Sequence, residues 1–390
     1  MLNIVFLGLV SFFTDLSTEM VYPLIPLYLT STFGATPAIV GMIEGVAESL
    51  ASLIKVFSGY ISDRFQKKKA IAFSGYASGL IYKLALLMAG SWFGILVARV
   101  IDRFGKGIRT APRDVLVSES ADKSAMGQSF GIHKALDMAG SALGILATYF
   151  MLRGAQGSID YSRIFLVSII PALLGLSMFF FIKEKNEPRQ MDAREPFWSN
   201  IRQVDGQLKL YLLAVFLFTL GNSSNSFLLL KAKATGFDDV NVVLLYFIYN
   251  FIASALSIPL GKLSDKVGRK KLLVAGYFVF ALCYLGFGFS RSQRQLVGVF
   301  ALYGAYTAMV AGVERAFVVE ASPPALKGTM LGLHATITGI ALLPASVIAG
   351  FLWSQFGATA PFVFGATMAA LAAFLLLLFM KGRPQPAPST

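Results

Sequence analysis

Apolar residues run along this chain in stretches of about 20, the length a helix needs to cross a bilayer core. Short breaks rich in charge, glycine or proline separate them. Twelve such stretches predict helices over residues 4–30, 37–60, 70–90, 92–111, 127–152, 162–182, 210–231, 240–261, 272–290, 296–320, 329–353 and 360–380. Six precede a polar segment and six follow it. The pattern predicts an all-α integral membrane protein with 12 transmembrane helices in two pseudo-symmetric six-helix bundles. The expected boundaries are 1–182 for the first bundle, 183–209 for a linker, 210–381 for the second bundle and 382–390 for a tail. Pro188, Pro196 and alternating charges place the linker on the cytoplasmic surface, and three prolines make the tail an expected disordered segment.

The second half repeats the first. The chain's two histidines stand in matching contexts, Gly127-Gln-Ser-Phe-Gly131-Ile-His133 and Gly328-Thr-Met-Leu-Gly332-Leu-His334. At the same offset of 201 residues Glu320 falls on Glu119 and Tyr277 on Tyr76. Self-similarity at a fixed period marks an internal duplication.

Composition agrees with a bilayer environment: 56% of residues are hydrophobic and 14% charged, and the mean hydropathy is +0.66. The net charge of +13 is dispersed over loop ends instead of gathered on one soluble face, so no nucleic-acid partner is expected. Basic residues mark the cytoplasmic side of short loops. Arg64 and Lys67–Lys69 follow the second span, and Lys262, Lys266 and Arg269–Lys271 flank the end of the eighth. Both termini are therefore expected in the cytoplasm. The first span begins near Met1 without a basic n-region or a small-residue cleavage site, and reads as a retained helix. Cys283 is the single cysteine and lies in an apolar span, which excludes an intrachain disulfide or a cysteine-based metal site. No cofactor or metal is expected.

After the second span the chain reads Gly59-Tyr-Ile-Ser-Asp63-Arg64-Phe-Gln-Lys67-Lys68-Lys69, and after the eighth Gly261-Lys-Leu-Ser-Asp265-Lys266-Val-Gly268-Arg269-Lys270-Lys271. Two copies in matching loops of a six-plus-six layout resemble the major facilitator superfamily, in a drug-efflux-like, uncharacterised prokaryotic branch. The resemblance covers the whole chain. It implies that Gly59, Asp63, Arg64, Gly261, Asp265 and Arg269 form a cytoplasmic gate. The first copy departs from the family pattern with Gln66 in place of Gly. The run Arg99-Val-Ile-Asp102-Arg103 resembles the family's fourth-helix motif, with Asp102 for Gln and Arg103 for Gly. The proline-containing fifth-helix signature of the family's antiporters is missing, since that span has Gly140 and Gly144 and no proline.

Ionisable side chains inside a membrane are costly and are functional candidates by default. Asp15 and Glu19 share a helix face with Tyr22, Glu44 and Glu48 form a stripe, and Arg99, Asp102, Arg103, Lys106, Arg109 and Arg113 form another. At about 1.5 Å per residue, Asp15 and the Arg99–Arg103 stretch reach similar depth, so an Asp15 pairing with Arg103 or Arg99 is expected. Asp137 is expected near Glu48. Asp15, Glu19, Glu48 and Asp137 are the proton-coupling candidates. The resemblance implies that helices 1, 4, 7 and 10 line a central cavity, which places Asp15, Glu19, Arg103, Lys106, Asn222, Asn225, Glu314 and Arg315 near the transport route. The substrate-cavity candidates are Tyr22, Arg99, Asp102, Arg103, Lys106, Asn222, Asn225, Asn250 and Tyr303. His133 and His334 read as gate or packing residues. Ion pairing within the first bundle is the alternative role for Glu44, Glu48, Lys83 and Asp137.

No GxxxxGK[ST] phosphate loop is present, so energy would come from a gradient. The expected function is a secondary active transporter working by alternating access, proton-coupled, exporting a small amphipathic organic solute or drug. Uptake or exchange of an organic anion is the second reading, because the arginine stripe could clamp carboxylate or phosphate. A third, an integral-membrane enzyme, lacks a Ser or Cys nucleophile motif near either histidine, and no catalytic residue is expected. The expected setting is the inner membrane, as a monomer, with protons, a small-molecule substrate and lipid as partners.

Overall fold

The computed structural model describes residues 2–65, 67–120, 126–154, 160–184, 206–322 and 327–379. Within its helices, the side chains of residues 56, 59–65, 126–131, 315, 319, 321 and 327–329 fall outside that description. The described chain is helical: α1 (Leu2–Glu19), α2 (Ile25–Phe33), α3 (Pro37–Phe65), α4 (Lys68–Leu87), α5 (Trp92–Ser120), α6 (Met126–Arg153), α7 (Tyr161–Val167), α8 (Ile169–Ser177), α9 (Gly206–Gly221), α10 (Ser226–Ala234), α11 (Asp239–Val267), α12 (Arg269–Phe289), α13 (Gln293–Val310), α14 (Val313–Ala321), α15 (Lys327–Phe356) and α16 (Ala360–Phe379). Ten helices or helix pairs are long and apolar enough to cross a membrane. With α5 and the α13–α14 pair, which are more polar, they make the twelve spans.

Four spans that read as continuous apolar runs are broken. The first is interrupted between α1 and α2 by a 3-10 turn at Tyr22–Leu24. Pro23 and Pro26 lack the N–H that an α-helix needs, so the ladder cannot continue through them. Thr148 on α6 donates to the Met20 carbonyl at the break (2.7 Å). The sixth span breaks at Ser168, three residues before Pro171, and the Ser168 carbonyl accepts a hydrogen bond from Ser17 of α1 (2.5 Å). The seventh breaks at Asn222–Asn225, whose polar side chains compete with helical bonds. The tenth breaks at Ala311–Gly312. In the other direction, α3, α5 and α11 run past the apolar limits at 60, 111 and 261 to Phe65, Ser120 and Val267.

Two compact units emerge: Met1–Gln190 with Ser224–Phe247, and Met191–Ser223 with Ile248–Thr390. In the first, α1 packs on α6 and α8, and α5 packs on α3 and α4. The α10 segment and the start of α11 belong with this unit, where Asp239 accepts from Tyr161 of α7 (3.0 Å) and pairs with Lys233. Gly140 and Gly144 let α6 approach α1 closely: a Cβ on Gly140 would sit 2.8 Å from the Phe12 carbonyl carbon, and one on Gly144 3.0 Å from that of Leu16. In the second unit α16 packs on α12 and α9, and α15 packs on α9. Its core is aromatic, with Tyr303 ringed by Tyr249 (5.4 Å between centroids), Tyr306 (5.2 Å) and Phe287 (5.9 Å).

The duplication is visible in the helix starts. Lys68 and Arg269 open α4 and α12, Trp92 and Gln293 open α5 and α13, and Met126 and Lys327 open α6 and α15, each pair 201 residues apart.

Candidate functional site

In the first unit the charged stripes of α3 and α5 face each other. The guanidinium of Arg99 takes Glu44 in a two-point bond, Nε to Oε1 at 3.0 Å and Nη2 to Oε2 at 2.8 Å. Its Nη1 reaches Asp102 at 3.4 Å. Arg103 pairs with Glu48 at 2.9 Å and stands 3.6 Å from Asp102. Arg99 and Glu44 are fully buried, and Asp102 and Arg103 nearly so. The Tyr22 ring lies 5.3 Å from the Arg99 guanidinium and 5.5 Å from that of Arg103, where its π face attracts both cations. Ser224 of the α9–α10 break donates to Glu44 (3.3 Å). Buried Lys83 lies near Asp102 and donates to the Gly79 carbonyl (3.3 Å). Three carboxylates thus meet three cations, the condition under which buried charge is tolerated.

This pairing corrects two expectations. Asp15 does not meet Arg99 or Arg103, because Glu44 and Glu48 on α3 already hold them. Nor does Asp137 sit against Glu48: its carboxyl faces that of Asp15, and Lys134 pairs with it from one turn away (2.5 Å). Lys106 and Arg109 are the cations nearest Asp15. Glu19 accepts a hydrogen bond from Tyr246 (3.1 Å), whose ring packs on Tyr22 (5.7 Å). Lys106 is exposed and Glu48 partly so.

Asn225 stands at the start of α10 in the first unit, and Asn222, Asn250 and Tyr303 belong to the second. Glu44, one turn from Glu48 on the same stripe, and Ser224, which carries no charge, are not among the site residues that the sequence nominates.

Of the gate residues, the Gly59, Asp63 and Arg64 side chains lie outside the description. In the second copy Arg269 joins Asp265 (3.1 Å) and Glu320 (2.8 Å). Gly261 lies in α11, open to added bulk. Gly268, between α11 and α12, has φ +96°, a backbone setting that favours glycine. At the equivalent place in the first unit Lys68 pairs with Glu119, and the Glu184 carboxylate accepts from the Lys68 amide (2.8 Å), capping the start of α4. His133 shares a hydrogen bond with Ser11 (2.9 Å), which in turn contacts Tyr76 (3.3 Å). Among the described residues no three of His, Cys, Asp and Glu converge as a metal site requires.

Comparison with known proteins identifies the family. The sequence profile of the Major Facilitator Superfamily matches residues 7–247 and 210–390. An uncharacterised MFS-type transporter of Methanocaldococcus jannaschii is 37% identical over 381 residues, covering 96% of this chain and 94% of that protein. Multidrug resistance protein MdtG of Dickeya zeae is 23% identical over 394 residues, covering 95% of this chain and 92% of that one. Among solved structures, the nucleoside transporter NupG superposes with a TM-score of 0.78 at 13% identity, over 98% of this chain and 100% of that one. A D-xylose-proton symporter gives 0.77 at 18% identity, over 97% of each chain.

Proposed function

Because the chain belongs to the major facilitator superfamily, a family of membrane transporters and not of enzymes, we propose that it is a proton-coupled secondary transporter that exports a small amphipathic organic solute. It would alternate between two openings by rocking of its repeats around a midplane site. It would work in the cytoplasmic membrane as a monomer with both termini inside.

The observation that carries the reading is the facing pair of carboxyls, Asp15 on α1 and Asp137 on α6. Two adjacent carboxylates in a bundle repel each other, and one shared proton relieves the repulsion. A proton held there can be exchanged for a cation or released as α1 and α6 move. Glu48, with Arg103, and Glu19, with Tyr246, are bonded and read as supports of the network around it. The name of the MdtG relative supports a multidrug-like substrate.

The organic-anion reading depends on Arg99 and Arg103 as a clamp. Both are spent on Glu44, Glu48 and Asp102, so an incoming carboxylate would have to displace a buried partner. Lys106 alone would remain exposed to meet it.

The test is proton movement in proteoliposomes carrying an internal pH dye, challenged with panels of organic cations and organic anions. Cations should trigger proton movement, and Asp15→Asn and Asp137→Asn should each abolish it. Movement triggered only by anions would replace this reading with the second.

A further inference from the structure

We infer that Glu314 and His334 form a second proton-binding site, carried wholly by the second unit and separate from the Asp15–Asp137 pair. This goes beyond the coupling role proposed above. Glu314 on α14 accepts a hydrogen bond from the Tyr277 hydroxyl of α12 (2.9 Å), and its Oε1 stands 3.7 Å from Nε2 of His334 on α15. Among the described residues His334 is the only ion-pair partner of Glu314. Nε2 is itself buried and has no hydrogen-bond partner among the described residues.

Two more buried polar atoms near His334 are unpartnered. Tyr211 of α9 is fully buried, its ring stacks within 15° of the imidazole plane with centroids 6.3 Å apart, and its hydroxyl has no hydrogen-bond partner among the described residues. Thr338, one turn along α15 from His334, has a buried hydroxyl in the same condition. Native interiors rarely leave such atoms unsatisfied, and an unexplained cluster of them points to a missing ligand. A carboxylate with an imidazole as its ion-pair partner calls for a proton. Taken up on Nε2, it adds a charged donor to the one that Tyr277 gives Glu314 and makes the two groups an ion pair.

The groups facing this pair from neighbouring helices are uncharged or committed. Tyr211 comes from α9, Tyr277 from α12 and Tyr306 from α13. Arg269 of α12 is held by Asp265 and Glu320, Lys209 of α9 is exposed, and α16 carries no titratable side chain.

The first unit supplies the contrast. At the positions 201 residues earlier stand Tyr76, Arg113 and His133. There a fixed cation replaces the carboxylate, Arg113 pairs with Asp114 (2.8 Å), and the imidazole is satisfied by Ser11. The duplicated scaffold therefore keeps the tyrosine and histidine in both halves and changes one residue from a cation to an anion.

With two histidines in the chain, ring-nitrogen NMR of the histidine-labelled full-length protein in lipid nanodiscs gives two imidazoles to follow, and His133→Gln assigns them. Acidification should convert the His334 signal from a neutral tautomer to imidazolium. Glu314→Gln should move the His334 transition to lower pH by at least about one unit, a tenfold loss of proton affinity. Tyr277→Phe, which removes a competing donor to Glu314, should move it the other way. A His334 signal that stays neutral throughout, or a transition indifferent to Glu314→Gln, would overturn the proposal. So would a midpoint that tracks sodium concentration, which would assign the cluster to a metal cation. None of these readouts depends on proton movement across the membrane, so the Asp15–Asp137 reading stands or falls separately.

Discussion

Arg99 has no access to solvent and satisfies its guanidinium with Glu44 and Asp102, while Tyr22 covers it from one side. Removing one partner of such a pair leaves an uncompensated buried charge, which costs about 3–5 kcal/mol. Arg99→Met should therefore lower the unfolding midpoint in detergent sharply, and the double variant Arg99→Met with Glu44→Leu should recover a large part of the loss. Equal destabilisation by single and double variants would show that the pair is not the source. At this scale the sequence made the charges and their stripes legible and left the partners open. Depth along a helix follows from residue count, and it placed Asp15 level with the arginines, while Glu44 and Glu48 stood out only as a stripe. Rotation about each helix axis decides among them, and that is set by packing of α3 on α5 and α1 on α6, which a single sequence does not encode locally.

Helix packing explains why Asp15 meets Asp137. Gly140 and Gly144 of α6, which the sequence marks only as part of a fifth span without proline, meet α1 closely: Gly140 lies against Phe12 and Gly144 against Leu16. Asp137 lies three residues before Gly140, and Asp15 three after Phe12. Gly140→Val should force the helices apart, cost about 1–3 kcal/mol by overpacking, and impair proton movement in proteoliposomes. Gly79→Ala, where a Cβ would meet nothing within 4 Å, should change neither. An unaltered proton response in Gly140→Val would detach the carboxyl pair from the α1–α6 contact. The element boundaries show the same division of legibility. Apolar runs between charged breaks marked the helices, ten of them by hydropathy alone, because apolar length is a property of the run itself. Hydropathy missed the breaks at Tyr22–Leu24, Ser168, Asn222–Asn225 and Ala311–Gly312, where proline, polar side chains or a glycine interrupt a run whose mean hydropathy hardly changes.

Across the whole molecule one repeat has been put to two uses. Lys68 with Glu119 and Arg269 with Glu320 are the same ion pair 201 residues apart, kept in both halves. By contrast, Arg99, Asp102 and Arg103 of α5 correspond to Phe300, Tyr303 and Gly304 of α13, so an ion network in one unit stands where the other has an aromatic core. The histidine contexts and the paired loop motifs revealed the duplication in the sequence. The divergence was legible only as fewer intramembrane charges in the second half, since the aromatic residues replacing them are ordinary for a membrane span. Under the proposed function Asp15 and Asp137 carry the proton while the Arg99–Arg103 network holds the fold. The most direct test compares two assays of Asp15→Asn in proteoliposomes, using an organic cation that the unmodified protein transports: transport driven by a pH gradient, and exchange of labelled for unlabelled substrate without one. Loss of gradient-driven transport with exchange retained is the predicted result. Gradient-driven transport that survives the substitution would contradict it.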